Sequence, residues 1–132
     1  MIQANEIRQG NWVSTPNQPF MRIDEIEIYS ADNSGKLGMR LDMEHHPLTW
    51  YLKDVSPIPL TEEILLKCGG KIADSEKRQI ELDRFLLRWL EAYKYWYVTD
   101  IETGAYITKI EFLHEWQNTF FVLNGQELAI ES

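Results

Sequence analysis

The segment Pro57-Ile58-Pro59-Leu60-Thr61-Glu62-Glu63 decides the fold class, because a pattern of strands precedes it and a helix follows it. Its two prolines oppose the continuation of a strand. Thr61 is suited to cap the start of a helix, and the two glutamates fall in the first turn, where the helix dipole favours negative charge. Gly69-Gly70 ends this helix. The pattern predicts an α+β protein in which a short helix divides two sets of strands.

Residues 1–58 have the pattern of four or five short antiparallel strands. Apolar side chains recur with a period of two from Leu37 to Met43, as in a strand with one buried face. Ser14–Pro19 is predicted to be a loop and Asp32–Gly35 a turn, because both are rich in turn-forming residues. An isolated hairpin is marginally stable in water, so we expect an SH3-like or similar small antiparallel barrel. Its strands are predicted at residues 11–13, 22–29, 37–43 and 50–55.

The second half is predicted to form an antiparallel sheet. Lys71–Gln79 is polar and of mixed charge, which predicts a connector. Ile80–Leu90 fits both a strand and a helix, and we favour strands because aromatic and β-branched residues dominate from Tyr93 onward. A turn at Thr103-Gly104 then leads into a strand at Ala105–Ile110.

Glu111–Leu123 is the clearest helix of the chain. At about 100° per residue its apolar side chains cluster on one arc, which includes Trp116 and Phe120. Asn124-Gly125 ends the helix. We expect this arc to pack on the sheet, and we predict a final short strand at Leu128–Ile130.

Composition limits the classes of protein that this chain can belong to. It has 132 residues, of which 44% are apolar and 12% aromatic, and its net charge is −8. This content excludes intrinsic disorder and fits one domain over residues 1–132, with subregions 1–58 and 59–132. The negative charge disfavours general nucleic-acid binding. The single cysteine excludes an intramolecular disulfide, and no apolar stretch could span a membrane, so we expect a cytoplasmic protein.

Residues that could bind a metal or act as a nucleophile are few. On a strand, Asp42, Glu44 and His46 would share one face and could hold a metal ion, or they could form a polar surface beside Pro47. No metal, nucleotide or cofactor motif of recognised spacing occurs, so no cofactor is expected. Cys68 falls at the C-terminal end of the predicted helix, where the dipole disfavours a thiolate, and we expect a small core residue.

An enzymatic alternative rests on His114. This residue lies between Glu111 and Glu115, and a carboxylate beside an imidazole could serve acid–base catalysis in a small enzyme. Pairs of this kind are also common on the surfaces of helices.

Two further alternatives are binding functions without catalysis. The aromatic residues of Trp89–Tyr97 could stack on the bases of a nucleic acid beside Arg84, Arg88 and Lys94, or they could fill a core. The acidic chain could instead act as an inhibitor that occupies the basic groove of a partner.

A candidate binding surface lies on the last helix, on an arc away from Trp116. It consists of His114, Gln117, Asn118 and Phe121, which are neutral amides, an imidazole and an aromatic ring. Such groups lose little entropy when they are fixed against a partner. The alternative is structural: the two amides bind the backbone of the N-terminal strands and Phe121 fills a second core.

Three segments of the chain resemble one family in sequence and in order. They are Asn5–Val13, Pro57–Leu65 and His114–Leu128. The family consists of short uncharacterised proteins encoded in Bacteroidetes genomes and in their phages and mobile elements. Its C-terminal pattern reads approximately H-x-L-Q-N-x-Y-F-x-L-T-G-x-E-L, and this chain departs from it at Trp116, Phe120 and Asn124. The resemblance implies a shared fold and a genomic setting, and it assigns no catalytic residue.

These observations favour one function over the others. We expect a non-enzymatic protein-interaction or accessory module, of phage or mobile-element origin, with an unidentified protein partner.

Overall fold

The computed structural model describes residues 2, 6–16, 18–30, 37–43, 49–51 and 54–130. The chain divides into two compact units, Met1–Ile58 and Pro59–Ser132. Antiparallel sheets and two helices are present, which confirms the α+β class. No helix of the described residues is long and apolar enough to cross a membrane.

The first unit is an antiparallel sheet in the order β1-β2-β3-β4. After β4 the chain returns to the side of β1 opposite β2, where Ser14 and Ser56 exchange main-chain hydrogen bonds of 2.9 and 2.8 Å. This bridge covers part of the edge of β1 that β2 leaves open. The strands are β1 (Trp12–Thr15), β2 (Gln18–Ser30), β3 (Leu37–Met43) and β4 (Thr49–Tyr51).

The core of the first unit is built from the inward side chains of these strands. Val13 and Leu41 are fully buried, and Ile23 is 1% exposed. The same cluster includes apolar residues from the chain before β1 and after β4, and its other members are Ile2, Ile7, Met21, Met43 and Val55. The alternation of apolar and polar residues in the sequence therefore marks the buried face correctly.

The predicted loop at Ser14–Pro19 is shorter in the structure, because β1 continues to Thr15 and β2 begins at Gln18. Pro19 is compatible with a strand here, since β2 pairs with β3 only from Ile23 onward and loses no hydrogen bond on that side. The strand predicted at residues 50–55 is also shorter and ends at Tyr51. The turn predicted at residues 32–35 lies outside the described residues.

The second unit is a five-stranded antiparallel sheet in the order β5-β6-β7-β8-β9, with one helix before it and one after it. Its elements are α1 (Glu62–Lys67), β5 (Lys71–Asp74), β6 (Gln79–Leu82), β7 (Phe85–Leu90), β8 (Tyr95–Asp100), β9 (Tyr106–Ile110) and α2 (Leu113–Asn124).

The strands favoured for residues 80–90 are confirmed, and a turn at Asp83-Arg84 divides them into a hairpin. The prediction of a connector at Lys71–Gln79 was wrong, because β5 lies within this segment. Lys71, Ile72 and Ala73 are all exposed, so β5 has no alternation of buried side chains to reveal it. No strand forms at Leu128–Ile130.

Capping chemistry sets the ends of both helices, and the roles of Thr61 and Gly125 are as predicted, whereas α2 begins two residues after the predicted start at Glu111. Thr61 Oγ1 accepts a hydrogen bond of 3.2 Å from the main-chain N–H of Ile64 at the start of α1. The carboxylate of Glu115 accepts the N–H of Phe112 at 2.9 Å at the start of α2. Gly125, with φ of +70°, ends α2 in the left-handed conformation that glycine adopts without steric cost.

The five-stranded sheet has one covered face and one open face. Phe85, Leu87, Trp96 and Val98 lie on the covered face and are at most 1% exposed. Trp116 of α2 packs edge-on against Phe85 on this face, with ring centroids 5.4 Å apart. The predicted packing of the Trp116 arc on the sheet is therefore confirmed.

Candidate binding surface

The surface predicted on α2 is divided by the structure into buried and exposed residues. His114 and Gln117 are each 1% exposed, whereas Asn118 is half-buried and Phe121 is 39% exposed. Only Asn118 and Phe121 of the four therefore reach solvent. All four form contacts within the chain.

The acid–base arrangement predicted around His114 does not present an accessible catalytic group. The His114 ring is buried and lies nearly parallel to the Phe112 ring, with centroids 6.0 Å apart. One carboxylate oxygen of Glu115 accepts the main-chain N–H groups of Glu111 and Phe112 at 3.0 and 2.9 Å. This carboxylate caps the helix, and the imidazole of His114 is 1% exposed.

Cys68 is a structural residue at the C-terminal end of α1. Burial raises the pKa of its thiol to about 12. At neutral pH the side chain is therefore a thiol, which is a poor nucleophile and a poor metal ligand. Of the predicted metal ligands, Glu44 and His46 lie outside the described residues, and Asp42 lies on β3.

The aromatic residues from Trp89 to Tyr97 are divided between the two faces of the sheet. Trp96 is buried on the covered face, and Trp89 packs against it with ring centroids 5.3 Å apart. The tyrosines point the other way, because successive side chains of a strand alternate between faces. Trp89 and Trp96 therefore pack together on the covered face, and the tyrosines lie on the other face.

The open face of the sheet carries four tyrosines from three successive segments. Tyr93 and Tyr95 stack with centroids 5.7 Å apart, and Tyr97 and Tyr106 stack with centroids 4.9 Å apart. Tyr93 is 69% and Tyr106 54% exposed, while Tyr95 and Tyr97 are half-buried by their neighbours on the sheet. The stacking fixes the positions of these rings relative to one another.

Two cations flank Tyr97 on this face. Arg88 of β7 and Lys109 of β9 are the residues directly opposite Tyr97 on its two neighbouring strands. Lys109 Nζ lies 5.4 Å from the centroid of the Tyr95 ring, a cation–π contact. Both cations are exposed, and neither forms an ion pair within the described part of the chain. We refer to Tyr93, Tyr95, Tyr97, Tyr106, Arg88 and Lys109 as the tyrosine face.

The three cations named in the nucleic-acid hypothesis do not form one continuous basic face. Arg84 donates to the main-chain oxygen of Leu123 at 3.3 Å and lies over the Phe85 ring, which belongs to the covered face. Lys94 pairs with Glu91 in the turn between β7 and β8. Arg88 alone of the three belongs to the tyrosine face.

Tyr106 and Lys109 were not singled out from the sequence. Alternation could not have brought them together, because residues three positions apart lie on opposite faces of a regular strand, and the register shift in the pairing of β8 with β9 places both on the open face. Their approach to Tyr97 depends on the pairing of β8 with β9, which one sequence does not reveal.

Comparisons with protein-family models, with curated proteins and with solved structures find no match for this chain.

Proposed function

We propose that this chain is a non-enzymatic, cytoplasmic protein-interaction module, and that the tyrosine face is its binding surface. The observation that carries the proposal is the row of Arg88, Tyr97 and Lys109 on the open face of the sheet, with the exposed Tyr106 stacked on Tyr97. Tyrosine and arginine are enriched at protein interfaces and among the residues that contribute most to binding energy.

The rigidity of the face favours binding. Tyrosine has few rotatable bonds, and stacking already restricts the four rings in the absence of a partner. The entropy lost on association is therefore smaller than for flexible side chains such as lysine or glutamate. The resemblance to proteins of Bacteroidetes phages and mobile elements supports an accessory role in that setting.

The alternative functions have less support. A catalytic role for His114 requires an accessible imidazole, and this ring is 1% exposed. An acidic inhibitor requires an acidic binding surface, whereas the most distinctive exposed surface carries Arg88 and Lys109.

Site-specific photo-crosslinking tests the proposal. Tyr106→p-benzoylphenylalanine would place a photoreactive ring on the tyrosine face, and Val122→p-benzoylphenylalanine would place it on α2, where Val122 is 79% exposed. In host cells we expect a discrete crosslinked protein at position 106 and a weaker or absent product at position 122. Crosslinking at position 122 alone would contradict the proposal. It would indicate that the binding surface is the exposed end of α2, beside Phe121.

A further inference from the structure

We propose that the tyrosine face recognises a short acidic segment of the partner protein, with carboxylates at Arg88 and Lys109 and apolar side chains on Tyr97. This inference rests on the proposed function and specifies the chemistry of the ligand. Its basis is the position of two cations without ion-pair partners in the described part of the chain, on either side of an aromatic ring.

The local charge of this face is opposite to that of the whole chain. The net charge of the chain is −8. On the open face, Lys71 lies opposite Glu81 and adds a third cation to Arg88 and Lys109, while Glu81 and Asp74, which lies opposite Gln79, are the two acidic residues at these paired positions. Complementary charge steers a partner to this face and sets its register.

The spacing of the cations specifies the spacing of the acidic groups. Arg88 and Lys109 are separated by two strand spacings, which corresponds to about 10 Å between their Cα atoms. A polyproline II segment advances about 3.1 Å per residue and has three residues per turn, so acidic residues three positions apart lie on one side of it, about 9 Å from each other, and match this distance. The two residues between them then lie over Tyr97.

The chemistry of the cations also favours carboxylates in a short segment. Arg88 can bind a carboxylate through two parallel hydrogen bonds, and Lys109 can act as a point charge. A nucleic acid places a phosphate at every nucleotide, and its affinity grows with the number of neutralised phosphates. Three cations on an acidic protein supply few such contacts, whereas they match a peptide with two or three acidic side chains.

A titration with two matched peptides tests the inference. The first is a nine-residue peptide with glutamates three positions apart and leucines between them, and the second has glutamine at both positions. Amide chemical shifts of the ¹⁵N-labelled full chain report where each peptide binds. We expect the glutamate peptide to perturb β7, β8 and β9 and to bind at least tenfold more tightly than the glutamine peptide.

Variants that each remove one charge show whether binding depends on the cations of the tyrosine face or on general electrostatic attraction to the chain. Arg88→Gln and Lys109→Gln are expected to weaken binding of the glutamate peptide at least fivefold each, because each removes one charge partner. Lys77→Gln is the control, since Lys77 is exposed in the turn between β5 and β6. The affinity of the Lys77→Gln variant for the glutamate peptide should stay within twofold of the wild-type value.

Four results of the binding titrations would overturn the inference. They are equal affinity for the two peptides, no binding at millimolar peptide, equal weakening by Lys77→Gln, and tighter binding of an oligothymidylate than of the glutamate peptide. A salt-sensitive dimer in sedimentation experiments that is abolished by Arg88→Gln would identify a second copy as the occupant and would also overturn it. If crosslinking at position 106 succeeds while the peptides fail, the proposed function stands and only the acidic ligand is excluded.

Discussion

The indole nitrogen of Trp96 donates a hydrogen bond of 2.7 Å to the main-chain oxygen of Leu60, in a buried position. This contact joins β8 to the segment that leads into α1. The same segment is held from a second side, since the N–H of Leu60 donates to the main-chain oxygen of Glu111 at 3.0 Å. The covered face of the second unit is therefore tied together by polar contacts as well as by apolar packing.

Trp96→Phe is expected to lower the free energy of unfolding of the second unit by about 1–3 kcal/mol, because the buried oxygen of Leu60 loses its indole donor. Trp89→Phe is the matched control, since the Trp89 indole donates to Glu91 in an exposed position. Trp89→Phe should lower the free energy of unfolding by less than Trp96→Phe does. If urea titrations give equal decreases in the free energy of unfolding for the two variants, the hydrogen bond to Leu60 does not contribute more to stability than the exposed one.

Trp116→Ala is expected to cost about 3–5 kcal/mol, because it removes a fully buried ring that contacts Phe85 and Phe120. Val122→Ala on the same helix is the control, and as an exposed site it should change the free energy of unfolding by less than about 0.5 kcal/mol. A loss below about 1 kcal/mol for Trp116→Ala in denaturant melts would contradict the packing of α2 on the sheet.

Gly70→Ala is expected to destabilise the second unit by about 1–3 kcal/mol through steric overlap. A Cβ at this position would lie 2.7 Å from the main-chain oxygen of Leu65 and 2.7 Å from Ile80 Cγ2. Gly104→Ala places its Cβ in open space and carries only the conformational cost of φ at +72°, about 1 kcal/mol. Thermal melts of both variants distinguish the two effects, and an unchanged Gly70→Ala variant would contradict the close approach.

The pKa of the Glu91 carboxyl is lowered by hydrogen bonds from Lys94 and from the Trp89 indole, and by the charge of Lys94. A lowered pKa in the folded state contributes stability above the unfolded-state pKa, and this contribution is lost as the pH falls through the folded-state value. An NMR titration should therefore place the Glu91 midpoint below that of an ordinary glutamate. Lys94→Met should raise the midpoint, and no change in this variant would exclude the ion pair in solution.

Local chemistry made much of the fold predictable. Thr61 and Gly125 act within one turn of the helix ends that they determine, so their effect is visible in a single sequence. Trp116 was assigned to the core by periodicity alone, and it is fully buried. β5 escaped prediction because an exposed edge strand lacks the alternation on which strand assignment depends.

The tyrosine face was harder to predict because it depends on pairing between distant residues. A register shift between Val98 and Thr99 places Tyr106 opposite Thr99, and the extra residue in β9 keeps Tyr106 on the same face as Tyr97. A shift of one residue would move the ring to the covered face. Sequence periodicity contains no information on such a bulge.

The central claim, that the tyrosine face binds a protein partner, is tested most directly by quantitative affinity capture from the native host with three versions of the chain. The double variant Tyr97→Ser/Tyr106→Ser removes the stacked pair, and Val122→Ser is an exposed substitution elsewhere. We expect wild type and Val122→Ser to retain the same protein at equal levels and the folded double variant to lose at least nine-tenths of it. Full retention of that protein by the double variant would contradict the claim.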